Sequence, residues 1–462
     1  MESALHISRP EASTTQKTVA STALTRQIRL PQAVALYVGA VLGSGVFLIP
    51  GYAADAAGPA SVLVWALMSL LALPMALTLG VLSSRYPDAG GVSAFVRRTY
   101  GPTAAAVTGW FFVTAVPIAA PVAALTAASY AQVVFGLSHG AMVALAAGIL
   151  GLALLSNYLG VGFLGRSQMA LSGAIVVALT AAVVVAAPHV DPNSFRPFAP
   201  HGLMGIGRAA SLMFWCFIGW EAVTHLSEEF TDPRRDTVRA IKVAVVVVGI
   251  LYTAVGLITV GTKSYGPGLS AGSLAAVVMR FAGPAGGVVI ALMAIFICLG
   301  TINAYLGATS RLAYSLAREG AAPAPLARLH PLRRSPHVAL GVLGVVLGVV
   351  VALEGSGRVS LEFLVLLPNA AFIGTYVLGS LAAVRLLRDD KALRLLAWVS
   401  LGLSLLLYAF LGWAALFAPA VAALAWVYAG SRGRNQTESQ TQRTGASSPR
   451  CSEASPRPHA GR

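Results

Sequence analysis

Charge is scarce in this sequence. Only 11% of its 462 residues are Asp, Glu, Lys or Arg, whereas an ordinary soluble domain has about 25%. Hydrophobic residues make up 56%, and apolar runs recur from Pro31 to Gly430 with short polar interruptions. Because a membrane helix needs about 20 apolar residues, these runs indicate an all-α integral membrane protein and exclude a soluble globular one.

Cysteine is also rare, and its placement excludes several kinds of site. Cys216 and Cys298 lie inside apolar runs, and Cys451 lies in the C-terminal tail. They show neither a metal-ligand spacing nor a disulfide framework, so we expect no metal and no cofactor. Residues 1–30 lack the apolar core of a signal peptide, and the first span therefore serves as its own insertion signal.

Twelve apolar segments are long enough to be membrane spans. They lie at 31–54, 59–82, 103–135, 140–158, 168–188, 203–227, 238–262, 284–316, 337–353, 361–387, 393–410 and 412–430. The polar ends at 1–30 and 431–462 are expected to be disordered tails.

The basic residues are distributed as in a membrane protein. With the N-terminus inside, 27 of the 32 Lys and Arg residues fall in predicted cytoplasmic segments; the other five are Arg196, Arg208, Lys263, Arg280 and Arg358. This bias sets orientation by the positive-inside rule. We therefore expect cytoplasmic termini, and we assign the net charge of +15 to contact with a lipid bilayer and not with nucleic acid.

Two predicted spans contain helix-breaking residues. Gly43-Ser44-Gly45 lies near the middle of span one, and Gly219 lies inside span six. Glycines weaken a helix, and broken backbone at membrane depth needs protein or a watery cavity around it. Matched breaks in the two halves of a chain indicate a transporter's binding site, whereas Gly43 and Gly45 alone are also compatible with close helix packing.

The two breaks predict complementary charges. A helix starting near Val46 would present free amides, with the Ser44 hydroxyl beside them, and these suit a carboxylate. A break after Trp215 would expose carbonyl oxygens that suit an ammonium group. An α-amino acid carries both groups.

Glu221 is the one acidic residue clearly inside a predicted span. Burying a carboxylate costs several kcal/mol unless it is protonated, paired or hydrated. Glu221 is therefore either a proton-sensitive gate or a neutral carboxyl that ties the broken helix to its neighbours. His225, four residues later on the same face, either couples to Glu221 or is an interfacial histidine.

Three other residues are candidates for the site. Asn303 in span eight and Asn369 in span ten either line the cavity or bridge helices. Pro117 marks a bend in span three and faces the site in this interpretation.

Several stretches resemble the amino acid-polyamine-organocation (APC) superfamily, and within it the bacterial methionine and branched-chain amino-acid exporters. The similar stretches are Gly43-Ser44-Gly45-Val46-Phe47, Tyr86-Pro87-Asp88-Ala89-Gly90-Gly91, Thr108-Gly109-Trp110, Phe214-Trp215-Cys216-Phe217-Ile218-Gly219-Trp220-Glu221-Ala222, His225-Leu226, and Asn303-Ala304-Tyr305 with Arg311.

The resemblance implies a LeuT-type fold that works by alternating access. Two inverted five-helix repeats would occupy 31–188 and 203–387, with helices one and six broken and two accessory helices at 393–430. It further implies a multi-pass protein of the bacterial inner (plasma) membrane, a monomer or a homodimer, with an amino acid and, in one reading, protons as partners.

The resemblance also implies roles for residues. The substrate carboxylate would meet Ser44 and Gly45, and the ammonium would meet the carbonyls of Val41, Trp215 and Ile218. The complete predicted substrate site is Val41, Gly43, Ser44, Gly45, Pro117, Trp215, Cys216, Phe217, Ile218, Gly219 and Asn303, with Glu221 and His225 for proton coupling or gating.

The function expected is secondary active export or exchange of neutral apolar amino acids such as methionine, leucine, isoleucine and valine. Proton-coupled uptake is the alternative, although proton-coupled relatives have a lysine in span five and residues 160–187 contain none, only Arg166 near the cytoplasmic edge. A transporter-fold amino-acid sensor is a further alternative. A membrane enzyme would need more convergent polar groups, and a channel would need a continuous polar stripe.

Overall fold

A computed structural model describes residues 29–86, 91–159, 163–221, 224 and 230–428, without the side chains of 163–172 and Pro233. His225, the predicted C-terminal tail and residues 1–28 of the predicted N-terminal tail lie outside the described residues.

The described chain is a bundle of helices. The first half forms α1 (Leu30–Val41), α2 (Gly45–Ala57), α3 (Ala60–Arg85), α4 (Val92–Phe135), α5 (His139–Leu159) and α6 (Phe163–Ala186). The second half forms α7 (Gly202–Met213), α8 (Pro233–Gly261), α9 (Ser273–Arg318), α10 (His337–Gly355), α11 (Leu361–Leu386), α12 (Lys391–Tyr408) and α13 (Gly412–Tyr428).

Most of these helices can cross a membrane. Within the described ranges, eight are long and apolar enough to do so singly, and α1 with α2 forms a ninth, bent span. Shorter apolar helical stretches at Gly173–His189, Gly202–Phe217 and Gly412–Tyr428 coincide with predicted spans five, six and twelve. The chain is therefore a multi-pass membrane protein built of helices.

Helices α4 and α9 each consist of two arms joined at a Gly-Pro elbow. The backbone leaves the helical region at Gly101 (φ 86°, ψ −179°), before Pro102, and at Gly283 (φ 74°, ψ −177°), before Pro284. Glycine adopts positive φ at little cost, and proline is favoured at the first position of the next helix. Sequence analysis predicts only the long arms; the short arms at 92–100 and 273–282 are a finding of the structure.

The bundle has large aromatic side chains in its core and exposed aliphatic side chains on its outer face. The largest buried side chains include Trp65 and Tyr252, whereas Leu63 and Ile250 are 60% and 64% exposed. Such exposed aliphatic faces are expected where helices meet lipid. The broken pair α1 and α2 packs against α7 and α8, with α4, α9 and α11 close by, so the breaks lie in the interior.

Candidate substrate site between two broken helices

The first break separates α1 from α2. Helix α1 ends at Val41, α2 begins at Gly45, and the two are bent by 49°. Between them Leu42 has φ −74° and ψ 61°, and the amide of Gly43 donates to the carbonyl of Val41 at 2.8 Å. This short turn ends the i to i−4 hydrogen-bond ladder, so α2 starts as a new helix inside the bundle.

The amide end of α2 is buried, and within it the Phe47 amide donates to the Ser44 carbonyl at 3.2 Å. Ser44 at the N-cap is 6% exposed, and its hydroxyl makes no capping hydrogen bond. The first amides of a helix have no carbonyl partner within the helix, and the helix dipole adds partial positive charge there. A carboxylate would satisfy both features.

The second break follows α7. That helix ends at Met213, a 3-10 turn runs from Phe214 to Phe217, and Ile218 is extended with ψ 140°. Gly219 then has φ +126°, a conformation that favours glycine. The last carbonyls of this interrupted helix therefore lack the continuous ladder that would satisfy them.

The two breaks fit against each other through one glycine each. A Cβ at Gly45 would lie 2.7 Å from the Cys216 sulfur and 2.9 Å from the Trp215 ring. A Cβ at Gly219 would lie 2.5 Å from the carbonyl oxygen of Ala40 and 3.3 Å from the amide of Val41. Each unwound segment can therefore approach the other only because glycine stands at the point of contact.

Tyr252 of α8 joins the ends of both interrupted helices. Its buried hydroxyl lies 2.8 Å from the carbonyl oxygen of Val41 and 3.0 Å from that of Cys216, so the two carbonyls share its single O–H donor. The carbonyl of Val41 thus accepts from Tyr252 and from the amide of Gly43. A carbonyl oxygen has two lone pairs, so these two donors occupy both of its acceptor sites.

Glu221 connects the second break to α11. Its side chain is buried, with 4% of the residue exposed, and its carboxylate accepts from the amide of Gly219 at 3.0 Å and from the Tyr376 hydroxyl at 2.7 Å. This geometry fits the interpretation of Glu221 as a tie between the break and a neighbouring helix. It also puts a titratable group two residues from the glycine contact.

A cavity of about 60 Å³ lies between the breaks. Its remaining walls come from α1, α4, α9 and α11: Ala40, Val116, Ala119, Ala120, Ala123, Thr301, Ile302, Tyr305 and Phe372. The described residues that line it include no charged side chain. Ligand pockets commonly measure about 300–1,000 Å³, so the cavity in this conformation is smaller than a typical ligand pocket.

The predicted site residues divide into two groups. Those that line the cavity are Val41, Gly43, Ser44, Gly45, Trp215 and Ile218. Those outside its lining are Pro117, Cys216, Phe217, Gly219 and Asn303. Cys216 and Gly219 lie in the contact between the breaks, and the ring of Phe217 packs 5.5 Å from that of Tyr252.

Asn303 and Asn369 both bridge helices. The side-chain amide of Asn157 in α5 donates to the side-chain oxygen of Asn303 at 2.9 Å and to its backbone carbonyl at 3.1 Å. Asn369 is fully buried and donates to the Ser211 carbonyl of α7 at 2.7 Å.

Sequence analysis misses the residues that complete the site from distant helices. These are the cavity residues of α4, α9 and α11, the bridging Asn157, and the hydroxyls of Tyr252 and Tyr376. One signal was available for the tyrosines, because a phenol at membrane depth requires a hydrogen-bond partner. Among the described residues, no group of three or more His, Cys, Asp or Glu side chains could hold a metal ion.

Comparison with known proteins identifies the family of this chain. A model of the amino acid permease family matches residues 28–435, which include both breaks and every helix from α1 to α13. The chain belongs to the amino acid permease family. The resemblance stated from the sequence is therefore confirmed.

Relatives of the permease are similar over nearly their whole length. An uncharacterized amino acid permease of Bacillus subtilis, YecA, is 35% identical over 414 residues, which are 89% of this chain and 97% of the relative. The L-methionine/branched-chain amino acid exporter YjeH of Escherichia coli is 33% identical over 87% of this chain and 96% of its own. The branched-chain amino acid permease BcaP of B. subtilis is 28% identical over 78% of this chain and 80% of its own length. All three of these relatives are named as amino-acid permeases or exporters.

We expect Tyr252→Phe to destabilise the permease. The substitution leaves the buried carbonyls of Val41 and Cys216 without the donor that joins them, which costs about 1–3 kcal/mol. The matched control is Tyr408→Phe, because the hydroxyl of Tyr408 donates to the carbonyl of Ala415, away from the breaks. Thermal midpoints in detergent test this. Equal midpoints for the two variants would contradict the joining role of Tyr252.

We expect Gly45→Ala to lower amino-acid transport at least about tenfold. The new methyl group would meet the Cys216 sulfur and the Trp215 ring, and such overpacking costs about 1–3 kcal/mol. Gly43→Ala is the control in the same break, because its methyl group would make only ordinary contact, at 3.8 Å, with the Thr301 hydroxyl. Flux is measured in proteoliposomes at equal protein content. Loss of transport in both variants would show that the break tolerates no side chain, and the specific contact at Gly45 would not be supported.

Proposed function

We propose that this permease is a secondary active transporter that exports or exchanges neutral apolar L-amino acids by alternating access. One observation carries the proposal. The amide end of α2 and the interrupted carbonyl end at Trp215 to Ile218 line one cavity, and its other walls are mostly apolar. These are complementary surfaces for a carboxylate, an ammonium group and an aliphatic side chain.

The substrate carboxylate binds at the start of α2. Ser44 and Gly45 both line the cavity, and the free amides and the dipole of the helix start favour an anion. The Ser44 hydroxyl supplies a further donor. This assignment needs no basic side chain, in agreement with the absence of one among the described lining residues.

The substrate ammonium binds the carbonyls of the second break. Trp215 and Ile218 line the cavity, and the extended conformation at Ile218 interrupts the helical ladder. The Val41 carbonyl is the weakest of the three expected ammonium acceptors, because Tyr252 and the Gly43 amide already donate to its oxygen.

The substrate side chain lies against α4, α9 and α11. Val116, Ala119, Ala120, Ile302 and Phe372 give that part of the wall its apolar character. A lysine side chain would bury an ammonium group there without a counter-charge, which costs several kcal/mol. Methionine, leucine, isoleucine and valine fit this wall, in keeping with the substrates named for the exporter YjeH.

The architecture we propose has twelve spans in two inverted five-helix repeats, at 31–188 and 203–387, followed by two accessory helices at 393–430. The breaks after α1 and α7 and the Gly-Pro elbows at Gly101 and Gly283 support it, because each pair falls at corresponding places of the two repeats. We propose that the permease lies in a bacterial inner membrane with both termini cytoplasmic, on the distribution of lysine and arginine.

Proton-coupled uptake is the second candidate. The hydrogen bonds of Glu221 to the Gly219 amide and the Tyr376 hydroxyl support it. Protonation of the carboxyl would remove a negative acceptor from the break and change how the break packs on α11. His225 would contribute to the same step in this scheme.

Flux of labelled amino acids in proteoliposomes tests the proposal. We expect leucine flux at least about tenfold above lysine flux, because only lysine would bury an unpaired charge. Vesicles with the Gly45→Ala variant provide the background. Equal flux of leucine and lysine would contradict the proposed side-chain specificity.

The same vesicles with an imposed pH gradient separate the two candidates. Proton-coupled uptake predicts that the imposed pH gradient drives leucine accumulation in the vesicles. Exchange predicts that labelled leucine enters only when leucine is already inside, with or without a pH gradient. Flux that is indifferent to pH would exclude a coupling role for Glu221.

A further inference from the structure

A second cavity, of about 520 Å³, opens between α3, α8 and α12. We call it the basic groove; it is lined by Val81, Ser84, Arg85, Tyr86, Arg234, Val238 and Leu393. These residues lie where α3 ends and where α8 and α12 begin, so the groove is at one end of the bundle. It shares no residue with the cavity between the breaks.

Two guanidinium groups line the basic groove. Arg234 is exposed and has no ion-pair or hydrogen-bond partner in the part of the chain that the structure describes. Arg85 makes one contact, at 3.4 Å to Asp390, and the two side chains are 38% and 40% exposed. An arginine has five N–H donors, so both residues keep donors for a ligand. The described residues that line the groove include these two positive charges and no acidic side chain.

The basic groove continues into a lipid-facing surface. Arg234, Val238, Lys242 and Val246 follow one another at intervals of four residues, which places them along one strip of α8. Lys242 and Val246 are exposed, the latter by 60%. On α12, just beyond the groove, Leu395 is 64% exposed.

The basic groove and the apolar surface beside it match the two parts of an anionic phospholipid, a charged headgroup and apolar acyl chains. Arginine forms forked hydrogen bonds to phosphate oxygens, and the exposed faces of α8 and α12 suit acyl chains. The hydroxyls of Ser84 and Tyr86 donate to the backbone carbonyls of Val81 and Leu386, so the two arginines are the donors offered to the phosphate. A free phosphate ion would match the arginines but would leave the apolar faces unused. Basic pockets between membrane helices commonly bind anionic headgroups.

We propose that the basic groove binds an anionic phospholipid, with its phosphate between Arg85 and Arg234 and its acyl chains along α8 and α12. The lipid then holds the end of α8, the helix whose Tyr252 joins the two breaks. The proposal concerns a site apart from the substrate cavity and does not depend on which amino acid is transported.

The test measures binding of phosphatidylglycerol and phosphatidylcholine to the full-length purified permease by native mass spectrometry. We expect the wild type to prefer phosphatidylglycerol, and Arg234→Gln to weaken that binding about fivefold, since a basic residue near a lipid headgroup contributes about that factor. Arg85→Gln with Arg234→Gln should remove the preference. Arg358→Gln is the control, because Arg358 is exposed on the loop between α10 and α11 and does not line the groove.

Three results would overturn the proposal. The first is equal binding of the two lipids by the wild type. The second is undiminished phosphatidylglycerol binding by Arg234→Gln when its thermal midpoint matches that of Arg358→Gln. The third is displacement of the lipid by inorganic phosphate at equal concentration, which would assign the groove to a soluble anion.

Discussion

The contact between the two helix breaks is the constraint on which the rest of the site depends. An interrupted helix leaves polar backbone groups unpaired, and the bilayer interior gives them no water. Here each break is covered by the other, because Gly45 lies against Trp215 and Cys216 while Gly219 lies against Ala40 and Val41. A side chain at either glycine would hold the two segments apart and expose the polar backbone groups between them.

Helices outside the breaks satisfy part of this polarity and leave the rest for a ligand. Tyr252 donates to the carbonyls of Val41 and Cys216, and Glu221 accepts from Gly219 and Tyr376. The amide end of α2 receives no comparable partner from its N-cap side chain. A site made chiefly of backbone groups recognises what all amino acids share, and its apolar walls then select the side chain. This division assigns affinity to the breaks and specificity to α4, α9 and α11.

The sequence predicted the helices and the first break well, because both depend on local composition. Apolar run length located the helices, and Gly43-Ser44-Gly45 marked the end of α1. Span six is predicted to end at 227, whereas the described helical stretch there ends at Phe217. Contacts between distant segments cannot be predicted from local composition: Asn303 is predicted to line the cavity, whereas in the structure it lies outside the lining and bridges to Asn157. The short arms before Gly101 and Gly283 were missed because nine or ten residues form no recognisable span. Phe217 and Pro117 sit one position from residues that line the cavity, a distinction that helical phase alone did not resolve.

Recognition of both charged groups of an amino acid by the breaks is the central claim, and competition binding tests it most directly. Labelled leucine is bound to the purified permease and displaced by leucine, by leucinamide, which lacks the carboxylate, or by 4-methylpentanoate, which lacks the ammonium. Hydrogen bonds to charged groups contribute about 1.5–3 kcal/mol each, so each analogue should compete at least about tenfold more weakly than leucine. Leucinamide competing as well as leucine would contradict the assignment of the carboxylate to the amide end of α2.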